Sequence, residues 1–542
     1  MQQKFSDGSS LEVVAAFSGL DFQRRLDADF SPLELLGVDD SEDYEQTSLT
    51  VRFLSPSTER FRYIGGLYYQ DSDLSLTGLT SLNTPMAAAL SGAGCQAAGL
   101  SAADARQLFL SAAGLAGQTP ANAASQLQRA GSAAVVNTCT TFGATQTFPT
   151  PVSRVNRLDQ RGDALAVYAQ ADIDFASALS LTVGVRYTRE QKDARQAVFA
   201  TTFGTAQPNP ALSLPLTALL EATPHDFGRD VLDREENKVN YSASLQWKVT
   251  GDVNAYFSTS TGFKAGGFNV AALGASPGEA EFGPEKVQSY EIGLKNNLLG
   301  GALQLNAAYF FTNIEDLQVA QFTGGTSFIV QNAAEADVQG LELDGRWQVT
   351  QKLGLSVAAA YTDFEFKSFP RAGCTAQQLL ALRQSSYDLG TALLAMNNPA
   401  GLAAQLLGSN QTQRECSGAR INDLRGRTAE QLPEFTAQFG LDYRFQVGRF
   451  IVEAVSEVAW RDEVFRDTDL DPLTQSGSYA KTNLSLGLSG VGSRWKALLI
   501  GRNIFDKNTF SYVNDTPLLD NARQQLVDRP RTVRLQVQYD FK

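Results

Sequence analysis

Apolar and polar residues alternate one by one along much of this chain. In its last stretch Val533, Leu535, Val537, Tyr539 and Phe541 fall on one side, and Arg534, Gln536, Gln538 and Asp540 on the other. Leu303, Leu305, Ala307, Tyr309 and Phe311 alternate with Gln304 and Asn306 in the same way. So do Val239, Tyr241, Ala243, Leu245 and Trp247 with Asn240, Ser242, Ser244, Gln246 and Lys248. Side chains of a strand point to opposite faces in turn, so each stretch reads as a strand with one greasy and one wet face. The pattern predicts about sixteen strands, over 9–30, 44–56, 60–73, 160–175, 178–193, 236–249, 251–264, 285–298, 301–322, 328–349, 352–367, 430–446, 448–465, 474–490, 493–512 and 526–542. Tight turns join many of them, such as Thr250-Gly251-Asp252, Leu299-Gly300-Gly301 and Val491-Gly492-Ser493. Long loops, about 74–159 and 368–429, lie on the other side. Strands of soluble sandwiches run about 5–6 residues, and several here pass ten. Long strands, short turns on one side and long loops on the other predict an all-β protein, a transmembrane antiparallel β-barrel filling residues 1–542 as one unit.

Composition narrows this reading. The hydrophobic share is 43% and the mean hydropathy −0.18. No apolar run reaches the roughly 20 residues a membrane helix needs. Aromatic residues make up 10% of the chain, as girdles at two membrane interfaces require. A net charge of −13 without Lys/Arg clusters argues against a nucleic-acid partner. The one histidine, His225, sits between Pro224 and Asp226 in what reads as an external loop, with no nucleophile-elbow serine near it. Multi-His metal sites are thereby excluded, and a His-based nucleophile relay is disfavoured. We expect no catalytic residue, no metal site and no cofactor. Asp467-x-Asp469-x-Asp471 looks like the start of a calcium loop, but Pro472 replaces the central Gly and Ser478 the bidentate Glu. It reads as a wet external loop, as do Asp39, Asp40, Glu42 and Asp43. The N-terminus, MQQKFSDGSS, has no apolar h-region of a signal peptide, so the expectation is a chain whose start was removed or a fragment.

The two long loops share a layout. Ser101 with Asp104, and Thr119 followed by Pro120, offer helix N-caps in the first, with Gly131 beyond; Thr375, and Asn398 followed by Pro399, offer them in the second. Helical insertions are therefore expected in both. Cys95 and Cys139 bracket the first loop, Cys374 and Cys416 the second, and there is no CxxC. Four cysteines allow three connectivities. Proximity and export to an oxidising compartment favour the two local pairs, each closing a loop of about 40 residues worth about 4 kcal/mol in the chain-entropy model.

The runs Gly262-Phe263-Lys264-Ala265-Gly266-Gly267, Tyr290-Glu291-Ile292-Gly293-Leu294-Lys295 and Asn503-Ile504-Phe505-Asp506-Lys507, in this order, resemble the TonB-dependent outer-membrane receptors, specifically the C-terminal part of their 22-stranded barrel. Tyr256 through Asn269, with Gly262-Phe263-Lys264-Ala265-Gly266-Gly267, looks like the family's Y-x-S-x-S-x-G-F-K-x-G-G-F-N strand. Glu285 with Tyr290-Glu291 and Lys295 looks like E-x(4)-Y-E-x-G-x-K. Asn332-Ala333-Ala334 with Gly340-Leu341-Glu342, then Asn503-Ile504-Phe505-Asp506-Lys507, then Arg529-Pro530-Arg531-Thr532 follow in the family's order. Leu26 through Phe30, Tyr44-Glu45-Gln46 and Tyr68-Tyr69 look like strands about one-third of the way around. Nothing resembles the family's plug domain or TonB box, and roughly six initial strands have no counterpart. Lys542 also follows Phe541, where the family ends in Phe. The resemblance implies recognition of the terminal aromatic by the barrel-assembly machinery. On physical grounds Gly262, Gly266 and Gly267 let a long strand bend or bulge at the outer rim, and Glu285 and Glu291 pair across the wall with Lys264 and Lys295.

The resemblance implies an outer-membrane receptor that captures a scarce solute, such as a ferric siderophore, and hands it inward under force from the TonB complex. Its surroundings would be outer-membrane lipid and lipopolysaccharide. Phe322, Phe328, Tyr512 and Asn514, at loop tips, are the expected solute contacts. The alternatives are a passive porin-like channel and a truncated barrel with exposed edges.

Overall fold

The computed structural model describes residues 1–28, 36–57, 59–82, 152–202, 225–270, 277–322, 327–370, 372–375, 378, 422–515 and 523–541. Alternating residues become an antiparallel ladder. In chain order the strands are β1 (Gln2–Lys4), β2 (Ser10–Asp27), β3 (Leu36–Leu54), β4 (Phe61–Leu82), β5 (Val152–Ala176), β6 (Leu179–Thr202), β7 (His225–Lys248), β8 (Val253–Lys264), β9 (Gly267–Phe268), β10 (Glu281–Phe282) and β11 (Glu285–Leu298). There follow β12 (Leu303–Phe322), β13 (Phe328–Thr350), β14 (Leu353–Ser368), β15 (Phe435–Val447), β16 (Phe450–Arg461), β17 (Tyr479–Gly490), β18 (Trp495–Arg502), β19 (Phe510–Asp515), β20 (Arg523–Val527) and β21 (Thr532–Tyr539). Among the described residues 17 of these form one sheet, in which neighbours in sequence are neighbours in space. Two small hairpins step out of it: β9–β10, so that β8 meets β11, and β19–β20, so that β18 meets β21.

Register assigns the faces. Tyr309 lies opposite Ile292 and Leu341, and Ile292 opposite Phe257; Leu441 lies opposite Ser456, and Leu484 opposite Ser456 and Gly501. This outer face exposes its large apolar residues, including Val239, Tyr241, Ile292, Leu341, Phe439, Leu486 and Leu535. The other face carries the polar partners, such as Tyr256, Glu291, Glu342, Asn483 and Gln536. All four tryptophans, Trp247, Trp347, Trp460 and Trp495, stand on the outer face by register. Aromatic pairs mark its lower border near the short turns: Phe53 with Tyr63, Tyr443 with Phe445, and Phe450 with Trp495, with ring centroids 6.0, 5.3 and 6.5 Å apart. Phe435 and Trp460, 5.3 Å apart, mark the upper border. Phe450 and Trp460 are ten residues apart on β16, about 33 Å along the strand and about 23 Å in height at a 45° tilt, the height of a lipid-facing band.

Several boundaries differ from the sequence reading. β4 and β5 run on to Leu82 and back from Val152, and β6 and β7 likewise extend to Thr202 and back to His225. Above the apolar band these strands are wet on the outside, so the amphipathic signal stops although pairing continues. Outward ion pairs hold them there: Arg161 with Asp73 at 3.1 Å, Arg189 with Glu235 at 2.9 Å, and Arg195 with Asp226 at 2.8 Å. His225 therefore opens a strand rather than sitting in a loop. Asp39, Asp40, Glu42 and Asp43 belong to β3, not to a loop, and Arg24 and Arg25 on β2 pair with Asp40 and Asp39. The stretch expected as one strand over 493–512 is broken after Arg502, and that over 526–542 is broken around Pro530, because β19–β20 forms its own hairpin. The expected helical insertions lie outside the described residues, except at their edge. There Thr375 and Gln378 exchange the two hydrogen bonds of a capping box, 2.9 and 3.2 Å.

The sheet has two edges among the described residues. β21 pairs with β18 alone, and β2 has the three-residue β1 as its second neighbour; no pairing joins β21 to β2.

Candidate ligand-binding mouth

Every long connection leaves the same end of the ladder, so one end is turns and the other is a mouth. External segments fold over the inner face there. Phe369, Ala372, Leu424 and Leu470 pack onto Ala334 and Ala336 of β13 and Phe366 of β14. Phe268 and Ala280 pack onto Leu158, Ala194 and Leu232 of β5, β6 and β7. These residues supply apolar cores where the flanking strands are otherwise polar inside, and so fix loops over the bore.

Polar clamps set the rest. Arg234 donates to Glu236 at 2.9 Å and to Glu281 of β10 at 3.0 Å. Gln318 donates its backbone N–H to Glu285 and its side-chain nitrogen to the carbonyls of Ala265 and Gly283, all at 2.9 Å. Asn269 exchanges hydrogen bonds with the backbone of Val330 at 3.1 and 2.7 Å. Arg186 lies between the rings of Tyr68 and Tyr168, 5.4 and 5.7 Å from their centroids. None of these was anticipated. Apart from Glu236, two residues from Arg234, their partners are far apart in sequence, and only the fold brings them together.

The family-motif residues resolve into distinct roles. Gly262 sits on the inner face with open space where a Cβ would stand, so no close approach requires glycine there. Gly266 and Gly267 are tight instead. A Cβ on Gly266 would meet the Phe282 carbonyl and the Arg234 guanidinium, and one on Gly267 the Phe282 ring at 2.8 Å. A Cβ on Gly340 would strike the Tyr361 carbonyl and the Phe310 ring. Tyr290 faces outward by register, whereas Phe263 lines a recess with the inner-face residues Tyr68, Gln70, Ser72 and Arg186. Lys264 stands opposite Glu285, but the carboxylate is taken by Gln318. Glu291 accepts from the Tyr256 hydroxyl at 2.6 Å, and Lys295 lies 5.3 Å over the Tyr256 ring, so a tyrosine separates the expected ion pair. Glu342 occupies the inner face opposite Ala308 and Ala360. Asn503, left-handed at φ 48°, closes a turn by exchanging hydrogen bonds with the backbone of Lys507 at 3.0 and 2.9 Å. Asp506 accepts the Arg531 N–H at 2.8 Å, and Phe505 is exposed. Phe541 packs against Tyr539 at 4.9 Å; Lys542 lies outside the described residues.

The aspartate run is no wet loop. Asp471 is fully buried and pairs with Arg523 of β20 at 2.6 Å, while Asp469 is buried and accepts the Asp471 N–H at 2.9 Å. Among the described residues no group of three or more His, Cys, Asp or Glu is arranged to hold a metal. The residues expected to touch solute fall on two hairpins. Phe322 and Phe328 are directly opposed at the top of β12 and β13, with Phe328 exposed; Tyr512 and Asn514 lie on β19, with Tyr512 half-buried. Cys374 is buried and disulfide-bonded; Cys95, Cys139 and Cys416 lie outside the described residues.

Comparison with known proteins matches this architecture. The family profile described as "TonB dependent receptor-like, beta-barrel" covers residues 5–504. The metal-pseudopaline receptor CntO of Pseudomonas aeruginosa is 26% identical over 215 residues, 40% of this chain and 26% of that protein. Among solved structures, the ferric yersiniabactin uptake receptor FyuA from Yersinia pestis aligns over 100% of this chain and 60% of its own, at 15% identity and a TM-score of 0.62. The siderophore receptor PiuA from Acinetobacter baumannii aligns over 99% of this chain and 63% of its own, at 16% identity and a TM-score of 0.57. The chain thus spans less than two thirds of the length of each.

Proposed function

This chain belongs to the TonB-dependent receptors through their β-barrel domain, and from that premise we propose that it serves the active uptake of a scarce solute, a ferric siderophore or a related metal chelate. It is an outer-membrane protein, and TonB-dependent receptors are transporters, not enzymes. The observation that carries the proposal is the family match over almost the whole ladder, joined to a mouth whose loops are pinned over a polar inner face. The names of the similar proteins, receptors for metal-pseudopaline and ferric yersiniabactin, supply the solute class. A passive pore gains no support from them.

Uptake implies partners: the TonB complex as the source of force, lipid and lipopolysaccharide around the outer face, and the barrel-assembly machinery at β21. Residues 1–542 act as one barrel unit in this reading. Phe322, Phe328, Tyr512 and Asn514 remain its proposed solute contacts, and Cys95–Cys139 and Cys374–Cys416 its proposed disulfides. The test is accumulation of radiolabelled ferric chelates by cells that express this protein and lack their own receptors. Accumulation that a protonophore abolishes is expected. Accumulation that the protonophore leaves untouched would mean a passive channel, and none for any chelate would end the proposal.

A further inference from the structure

Two arginines at the mouth carry charge that the nearby Asp528 offsets only in part. Arg461, the last residue of β16, faces inward opposite Tyr479, its guanidinium 5.1 Å from the ring centroid. Lys481 lies 5.3 Å from the same ring. Arg466, five residues beyond Arg461, is only 4% exposed and gives one nitrogen to the Ser511 carbonyl at 3.3 Å. The Nε and Nη2 atoms of both arginines are buried and have no hydrogen-bond partner.

Three carboxylates of these connections are already committed. Asp528 accepts from Lys481 at 2.9 Å and from the Thr509 hydroxyl. Asp462 accepts from Ser478 at 2.8 Å, and Asp471 pairs with Arg523. Burial lowers the pKa of Arg466, and the charge of Arg461 lowers it further, while Tyr479 and Asp528 oppose the shift only in part. Buried guanidinium nitrogens are nearly always bonded, because leaving them bare forfeits their hydration for nothing. Arginine presents a planar fork that fits the two oxygens of a carboxylate or phosphate. A single oxyanion would fill the bare donors and cancel the repulsion between the two cations.

We propose that Arg461 and Arg466 bind an oxyanion, a carboxylate or phosphate group, under the β16–β17 connection on the inner side of the mouth. Lipid phosphates face the opposite side of the sheet, so the anion arrives from solution. That it is borne by the transported solute rests on the uptake reading; the anion site itself does not.

The test is calorimetric titration of the detergent-purified full chain with inorganic phosphate and with citrate. Saturable binding is expected for at least one, weakened about tenfold or more in Arg461→Gln and in Arg466→Gln. Arg161→Gln, on the outer face, should bind as the unaltered protein does. Folding of each variant is read from heat-modifiable gel mobility. Arg466→Lys keeps the charge but loses the fork; it should weaken binding to an intermediate degree and serves as the test if the glutamine variant does not fold. Absence of saturable binding, or binding undiminished in these variants, would overturn the site. Chelate uptake that continues without anion binding would remove the site and leave the transport reading; anion binding without uptake would do the reverse.

Discussion

At the scale of single residues, glycines separate what sequence can and cannot say. Gly262 and Gly340 both stood out in the sequence, yet only Gly340 is hemmed in, by the Tyr361 backbone and the Phe310 ring. Gly340→Ala is expected to cost about 1–3 kcal/mol in urea unfolding of the detergent-solubilised protein, and Gly262→Ala to be silent; equal effects would contradict the packing described. Burial of Asp471 was just as hidden, because an Asp-x-Asp-x-Asp run looks solvated whichever way it folds. Asp471→Asn removes the carboxylate that Arg523 pairs with and should destabilise the mouth by about 3 kcal/mol, seen as faster proteolysis of the 466–527 region. Asp528 gives a pH signature. The Thr509 hydroxyl, with help from Lys481 and against the effect of burial, holds its carboxyl below the ordinary value of 3.8. A depressed folded-state value means that stability is present above 3.8 and lost as pH falls through the lower value. Hydrogen exchange around 509–528 should therefore accelerate on acidification below 3.8, whereas Asp528→Asn should start from faster exchange and lack this step.

At the scale of elements, period two was enough to find the long strands of the lipid band, because there one face is apolar and the other polar. It failed above the band, where β4 to β7 are wet on the outside and Arg161–Asp73 and Arg189–Glu235 replace apolar neighbours. It failed again at β18 to β21. Asn503, at positive φ, and the hairpin β19–β20 interrupt what alternation read as continuous strand. The face assignment itself is testable on one strand. Leu486 of β17 is outward and exposed, and its neighbour Ser485 points inward. Leu486, opposite Ala454, stands between the border residues Phe450 and Trp460, so Leu486→Arg should cost about 2–4 kcal/mol of folding into lipid vesicles; Ser485→Arg should cost far less. The opposite order would reverse inside and outside.

At the scale of the whole molecule, the ladder is one curtain of strands with an apolar outer side, a polar inner side and a mouth held by loop cores. The strand framework was legible in the sequence. The mouth was not, since its clamps, Arg234 with Glu281, Gln318 with Ala265 and Gly283, and Arg466 with Ser511, join segments that no local pattern connects. The two sides of the curtain are told apart most directly by the tryptophans, which all stand on the outer face near its borders. The decisive measurement is quenching of their fluorescence in reconstituted vesicles, by brominated lipids on one hand and by aqueous iodide on the other. Strong quenching by bromines placed near the headgroups, with little by iodide, is expected. Efficient iodide quenching with no response to brominated lipid would show that this face meets water, and the membrane barrel would be refuted.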